Sequence, residues 1–344
     1  MRHDKKIAII SLSRGLLGED FIKHELDIGK KRLLDYGIEV TTTKHALNGL
    51  QYLEQNPQAR AQDLLDTFND KNIDMILCAV GGNDTYRLLP YLFENDELKN
   101  AVKNNHKIFL GFSDTTMNHL MFHKVGMNTF YGQAFLPDIC ELELDMLAYT
   151  KAYFDELIHT GTIKEIRPSE LWYEDRKSYD KTQIGVKRIG HKNSGFQLLQ
   201  GSPTFSGKIL GGCIETLYSI FDNSEHNDST KLCQQYNIFP TLQDWQDKIL
   251  LLESSETKSP PELYRKMLDT LKTTGIFDVI NGIIVGKPCD EVYSDEYKKI
   301  LVEVIDKPSL PILYNVNIGH AYPHCIIPFG IPAHIDAHKQ VIRF

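Results

Sequence analysis

Four short apolar runs alternate with helical patterns over the first third of the chain, and this alternation limits the fold more than any other feature. Lys6–Ser11, Ile38–Thr41, Asp74–Val80 and Lys107–Ser113 read as strands, and Glu19–Tyr36, Ala59–Asn69 and Arg87–Phe93 between them as helices. Strands joined through helices lie parallel, so the expectation is an α/β fold whose N-terminal part is a Rossmann-like or flavodoxin-like parallel sheet. Ligands of such sheets collect outside the carboxyl ends of the strands. The Gly81-Gly82 turn and the corner at Ser113 both fall at such ends, which places them in one crevice.

At Gly111-Phe112-Ser113-Asp114 an apolar run stops abruptly and an amphipathic pattern begins. A sharp strand-to-helix turn lifts a serine hydroxyl clear of the sheet, beside the free N–H groups of the first helical turn, which makes Ser113 a candidate nucleophile. The usual elbow has glycine two positions after the serine, where this chain has Thr115. A plain helix cap by Ser113 or Asp114 accounts for the same residues without chemistry. Gly81-Gly82 lets backbone approach a ligand and turns N–H groups toward an anion, or makes a tight turn with nothing bound. Its spacing is that of neither the dinucleotide fingerprint nor the P-loop.

Length and composition set the outer limits. At 344 residues the chain exceeds the usual size of one core, so two domains are expected. Residues 1–165 form the N-terminal α/β domain, 196–344 a smaller mixed α/β domain, and 166–195 a linker or active-site loop with little apolar periodicity. A net charge of −8 argues against a nucleic-acid scaffold and favours small-molecule chemistry. Six scattered cysteines without a C-x-x-C pair suit a reduced, cytoplasmic protein. No segment is long and apolar enough to span a bilayer, and the first apolar run reads as a strand rather than a signal peptide, so no membrane partner is expected.

In the second half, Gly207–Leu217 reads as a strand feeding a glycine corner and helix, Lys248–Glu253 as a buried strand ending on a carboxylate, and Val279–Gly286 as a strand interrupted by glycine. Leu310–His320 leads into a proline-rich turn, and Asp336–Lys339 reads as a hairpin turn. A carboxylate at the end of a buried strand needs specific partners, and Lys248, Ser254 or backbone N–H groups are the bland ones. His320, after Gly319, is the best placed base among the thirteen histidines. Ser113, Glu253 and His320 follow the nucleophile–acid–base order of one triad arrangement. A metal-dependent hydrolase is a further reading, with His320, His324 and Cys325, or His334 and His338, as ligands, but Pro323 spoils a helical pair. Trp172 and Tyr173 offer stacking faces, and the basic residues from Arg176 to Lys192 can attract a phosphate or carboxylate; an interdomain packing role is the alternative.

Gly81-Gly82 with Arg87–Pro90, Gly111–Thr116, Phe130–Gly132, Gly211-Gly212, Lys248–Glu253, Gly286–Pro288 and Gly319-His320 together resemble the LD-carboxypeptidase family of serine peptidases, from the first strand almost to the C-terminus. The resemblance implies an N-terminal domain carrying the nucleophile and a C-terminal domain carrying the other two groups, a Ser113–Glu253–His320 triad, and a homodimer. No metal or other cofactor is implied. Backbone N–H groups of Asp114 and Gly82 are the expected oxyanion donors, with Asn83 and Trp172 as substrate contacts. Gly81–Asp84 and Glu253–Glu256 look more like the branch containing the microcin C immunity peptidases than the murein-recycling branch. Gly212-Cys213 departs from the Gly-Gly-Asn of many relatives, which leaves any substrate contact of that Asn without a counterpart. The expected substrate is an amide between an acidic amino acid and a nucleotide-like group. Murein tetrapeptide is the alternative, and a non-catalytic ligand-binding relative a third.

Overall fold

The computed structural model describes residues 5–344. The chain divides into two compact units: Met1–Lys151 with Lys177–Lys187 and Lys231–Ile238, and Ala152–Arg176 with Arg188–Thr230 and Phe239–Phe344.

In the first unit, strands β1 (Lys6–Ile10), β2 (Glu39–Thr42), β3 (Met75–Cys78), β4 (Ile108–Gly111) and β5 (Thr129–Tyr131) lie in the order β2-β1-β3-β4-β5. Every pairing among them is parallel, with Ile7 opposite Met75, Met75 opposite Ile108 and Leu110 opposite Phe130. This is the flavodoxin-like order, with its switch point between β1 and β3. All of β3 is buried, as a strand covered on both faces must be, whereas no residue of edge strand β2 is fully buried. Pro57 opens helix Pro57–Asn69, where its missing N–H costs nothing.

Two helices start later than the sequence suggests. Ahead of Lys23–Asp35 the chain makes two single 3-10 turns, Leu16–Gly18 and Asp20–Ile22. Gly15 and Gly18 are pressed against the Gly49 backbone there, so closely that a Cβ on either would lie 2.4 Å from it, and this contact bends the chain away from a regular helix. Similarly, a 3-10 turn at Thr85–Leu88 precedes helix Leu89–Phe93, where Pro90 suits only a first turn.

The second unit contains β6 (Glu165–Ile166), β7 (Leu171–Tyr173), β8 (Gly190–Lys192), β9 (Gln197–Gln200), β10 (Thr204–Cys213), β11 (Ile249–Glu253), β12 (Gly282–Gly286), β13 (Ile312–Val316), β14 (Ile327–Phe329), β15 (Pro332–Asp336) and β16 (Val341–Arg343). Eight of them form a mixed sheet in the order β6-β16-β15-β10-β11-β12-β13-β9. β10 to β13 are parallel and wholly buried from β11 to β13, whereas β15, β16, β6 and β9 add antiparallel edges. The stretch 166–195 includes a two-stranded ribbon of β7 and β8. The Val279–Gly286 run is not one strand: Ile276–Val279 is a helical turn and β12 begins at Gly282, where the Phe205 ring leaves no room for a Cβ. The Asp336–Lys339 turn joins β15 to β16 as a hairpin.

A buried ion pair ties the loops at the carboxyl ends of β1 and β3. The Arg60 side chain is wholly buried and donates to Leu12 O and Ser13 O, both at 3.2 Å, and to both oxygens of Asp84, at 2.6 and 3.0 Å. Ser13 Oγ extends the network by donating to Asp114 Oδ2, 2.6 Å away in the loop after β4. Removing one partner of a buried pair leaves an uncompensated charge, which costs about 3–5 kcal/mol. Arg60→Met is therefore expected to destabilise the protein by about that amount in denaturant titration. A loss below about 1 kcal/mol, the ordinary size for a point substitution, would show that the loops hold without the pair.

Candidate active site

Ser113 directly follows Phe112 at the end of β4 and has φ +64°. A non-glycine residue in the left-handed region stores strain, and it persists only where the surroundings over-determine it. They do so here. The Ser113 N–H donates to Tyr131 Oη at 3.1 Å, and Thr115 N–H closes a turn onto Phe112 O at 3.3 Å. Gly81 is pressed against the serine from the neighbouring loop, where a Cβ would lie 2.7 Å from Ser113 Oγ. Under the corner, buried His119 accepts from Thr129 Oγ1 on Nδ1 at 2.7 Å and donates from Nε2 to Gly111 O at 3.1 Å, since a carbonyl can only accept. Burial pushes its pKa down to about 3. The pattern after Ser113 reads as amphipathic and gives no sign of this support, whereas the helix is in fact buried on every side from Thr116 to Phe122.

No side-chain cap bond is made at either helical start after β4, so capping does not account for Ser113 or Asp114. The Asp114 carboxylate instead accepts from Ser13 Oγ at 2.6 Å and from Thr85 N and Oγ1 at 2.9 and 2.6 Å. Burial raises its pKa, and the hydrogen bonds from Ser13 and Thr85 oppose that rise. Gly82 has φ +156°, and a Cβ on it would overlap Ser13 Oγ at 2.2 Å. Asn83 follows it on the exposed part of the same turn.

Glu253 and His320 both lie in the second unit, at the ends of β11 and of the segment after β13. The glycines beside them make the room. Gly319 has φ +94°, and a Cβ there would lie 2.5 Å from Glu253 Oε2; one on Gly286 would lie 2.9 Å from Glu253 Cβ. His320 Nδ1 is 2.7 Å from Glu253 Oε2, and because a carboxylate only accepts, Nδ1 carries the proton and the tautomer is set. The Glu253 side chain has no exposed surface. The histidine is thus a partner of this carboxylate, and Lys248 Nζ donates instead to Asp244 O.

Two further carboxylates surround this pair. Glu256 Oε2 is 3.2 Å from His320 Nε2. Glu215, in the first turn of helix Ile214–Ser219, accepts from Ser255 N at 3.1 Å, Ser259 Oγ at 3.0 Å and Cys213 Sγ at 3.2 Å. Burial raises the Glu215 pKa, and the charge of Glu253 raises it further. For His320 burial works the other way, favouring loss of the proton, but Glu253, then Glu256 and Glu215, outweigh it and carry the pKa up to about 9. The only sequence signal for Glu215 was its position after the Gly211-Gly212 corner.

The remaining candidates are more ordinary. Trp172 is 7% exposed, stacked on His191 with ring centroids 4.5 Å apart and with Lys287 Nζ 5.3 Å from the ring centroid, so a base meets that side of the indole only by displacing His191. His324 is buried and stacked on Tyr322, and His334 Nδ1 bonds Ser206 Oγ at 2.8 Å. Among the described residues no group of three or more His, Cys, Asp or Glu side chains is arranged to hold a metal ion.

Residues 7–132 match the LD-carboxypeptidase N-terminal domain and residues 206–335 its C-terminal domain. The chain is 59% identical to an MccF-like protein from Streptococcus pneumoniae, solved in complex with AMP, with a TM-score of 0.98 over 99% of both chains. It is 25% identical to the microcin C7 self-immunity protein MccF of Escherichia coli over 80% of this chain and 75% of that one. Identity is also 25% to a probable murein peptide carboxypeptidase of Bacillus subtilis, over 92% of this chain and 85% of the relative. Matches at both ends of the fold, and near-complete overlap with a relative of this identity, establish that the chain belongs to the LD-carboxypeptidase family of peptidases.

Proposed function

We propose that the protein is a serine amide hydrolase in which Ser113 is the nucleophile, His320 the general base and Glu253 the acid that orients it, and that it cleaves the amide between an acidic amino acid and a nucleotide-like group. His320 Nε2 takes the hydroxyl proton as Ser113 attacks the carbonyl, then returns it to the leaving nitrogen; Glu253 holds the tautomer and stabilises the imidazolium. Backbone N–H groups of Asp114 and Gly82 receive the oxyanion, each donor contributing about 3 kcal/mol. Asn83 is the proposed substrate contact on the same turn. The strained φ of Ser113 and the 2.7 Å contact between His320 and Glu253 support the chemistry.

The observation that carries the nucleotide half of this reading is the AMP complex of the MccF-like protein from Streptococcus pneumoniae, 59% identical to this chain. Release of terminal D-alanine from a murein tetrapeptide is the second reading, favoured by the similarity to the murein peptide carboxypeptidase of Bacillus subtilis. Six free cysteines, all buried, support a reducing compartment such as the cytoplasm.

Competition between an aspartyl nucleotide amide and a murein tetrapeptide tests the substrate. Preferential cleavage of the nucleotide amide is expected, and efficient D-alanine release with no nucleotide product would select the second reading. Ser113→Ala and His320→Ala are each expected to lower kcat by about four decades with the fold intact, and Glu253→Gln somewhat less. If Ser113→Ala kept more than about a tenth of wild-type turnover, the nucleophile assignment would be wrong.

The pH profile carries a third expectation. A base held protonated up to about 9 in the free enzyme makes kcat/KM rise with pH well above the usual histidine range. The stability that protonated His320 contributes has the opposite slope: it is fully present below about 6.5 and is lost as the pH climbs through about 9. An acid limb of kcat/KM centred at or below pH 6.5 would contradict this electrostatic picture of the pair.

A further inference from the structure

Glu256 stands on the nitrogen that the reaction needs. Glu253 occupies Nδ1 of His320 and Glu256 faces Nε2, so both ring nitrogens meet a carboxylate. The two differ in freedom: the Glu253 side chain has no exposed surface, whereas that of Glu256 is 60% exposed. The backbone around Glu256 is held on either side, because Ser255 N and Ser259 Oγ both donate to the buried Glu215 carboxylate. Lys258 Nζ is also tied, to Asp290 at 2.6 Å. Any change at Glu256 is thus a swing of its side chain and not a movement of the loop.

An imidazole flanked by two carboxylates is held as its cation, and a cation cannot accept the proton of a serine hydroxyl. The groups whose charge favours the imidazolium are Glu253 at the end of β11, Glu256 after it and Glu215 from the helix start, all of them carboxylates. For turnover Glu256 has to leave Nε2, and what draws a carboxylate away is a competing cation. An amino acid joined through its carboxyl group to a nucleotide has such a cation, an α-ammonium one carbon from the scissile carbonyl. A residue inside a peptide does not, because its α-nitrogen is acylated and neutral.

We propose that Glu256 is a specificity-determining residue that recognises the free α-ammonium group beside the scissile carbonyl, exchanging its contact with His320 Nε2 for one with that cation. This rests on the aminoacyl-nucleotide reading and sharpens it: the enzyme takes aminoacyl groups with an unblocked amine. The proton balance is simple. As Glu256 departs, Nε2 releases its proton to water, and the freed lone pair then accepts the proton of Ser113.

The test compares aspartyl-sulfamoyl adenosine with its N-acetyl derivative, using wild type and Glu256→Gln. Wild type is expected to favour the free amine by about tenfold or more in kcat/KM, the size of a charged hydrogen bond, and Glu256→Gln to lose most of that preference. The variant's acid limb with the N-acetyl substrate should also move to lower pH, because Nε2 has lost a carboxylate that a mere packing change would leave in place. Equal wild-type use of the two substrates, or an undiminished preference in Glu256→Gln, overturns the role of Glu256 and leaves the nucleotide reading standing. If wild type cleaves neither compound but releases D-alanine from a tetrapeptide, the nucleotide reading itself falls, and the proposal with it.

Discussion

A carboxylate with no exposed surface ends a strand that is otherwise entirely apolar, and much of the second unit is arranged around that one costly group. An unpaired charge at this depth costs several kcal/mol, so Glu253 is tolerable only with a donor brought against it. The donor is His320, and it arrives because Gly319 and Gly286 carry no side chains where the carboxylate lies. Two glycines that contribute nothing to the core therefore decide whether the charge can be buried at all. Glu215 adds a second buried carboxylate, held by two serines and a thiol rather than by a cation, so the negative potential on the imidazole is left uncancelled.

The first unit solves a different problem, that of holding a strained corner. Ser113 keeps an unfavourable backbone angle because Tyr131, Gly81 and the His119 contact to Gly111 leave no relaxed alternative. The loops after β1, β3 and β4 are then linked by Arg60, Asp84, Ser13 and Asp114, all drawn to one end of the sheet by its parallel order. This is the geometry the switch point of such sheets makes available.

The strands were legible because buried parallel strands read as continuous apolar runs, as Met75–Cys78 and Ile249–Leu252 do. Ser113, Glu253 and His320 stood out for a related reason, being polar residues where such runs end. The structure pairs the last two. Helix starts were less visible, since the 3-10 turn before Lys23 depends on contact with Gly49, distant in sequence, and the one before Leu89 on Pro90 being confined to a first helical turn. Arg60 and His119 could not be singled out at all. Arg60 lies in a helix whose pattern is unremarkable and His119 in one buried on every side from Thr116 to Phe122, and the significance of each comes from carbonyls and carboxylates elsewhere in the chain. Trp172, an aromatic in a polar stretch, reads as a stacking face, and the structure shows it stacked on His191 with Lys287 Nζ near the ring.

Strand β10 is zipped along both of its margins, to β15 through Thr204–Lys208 and to β11 through Ile209–Cys213. Its first half runs antiparallel to one neighbour and its second half parallel to the other. A single inserted or deleted residue would turn every following side chain to the opposite face and break one margin whichever way the other was kept. A change of length is thus costlier in β10 than in connections such as 223–228, which belong to no strand and carry no register. Related chains of different length should keep this strand's residue count unchanged while those connections grow or shrink.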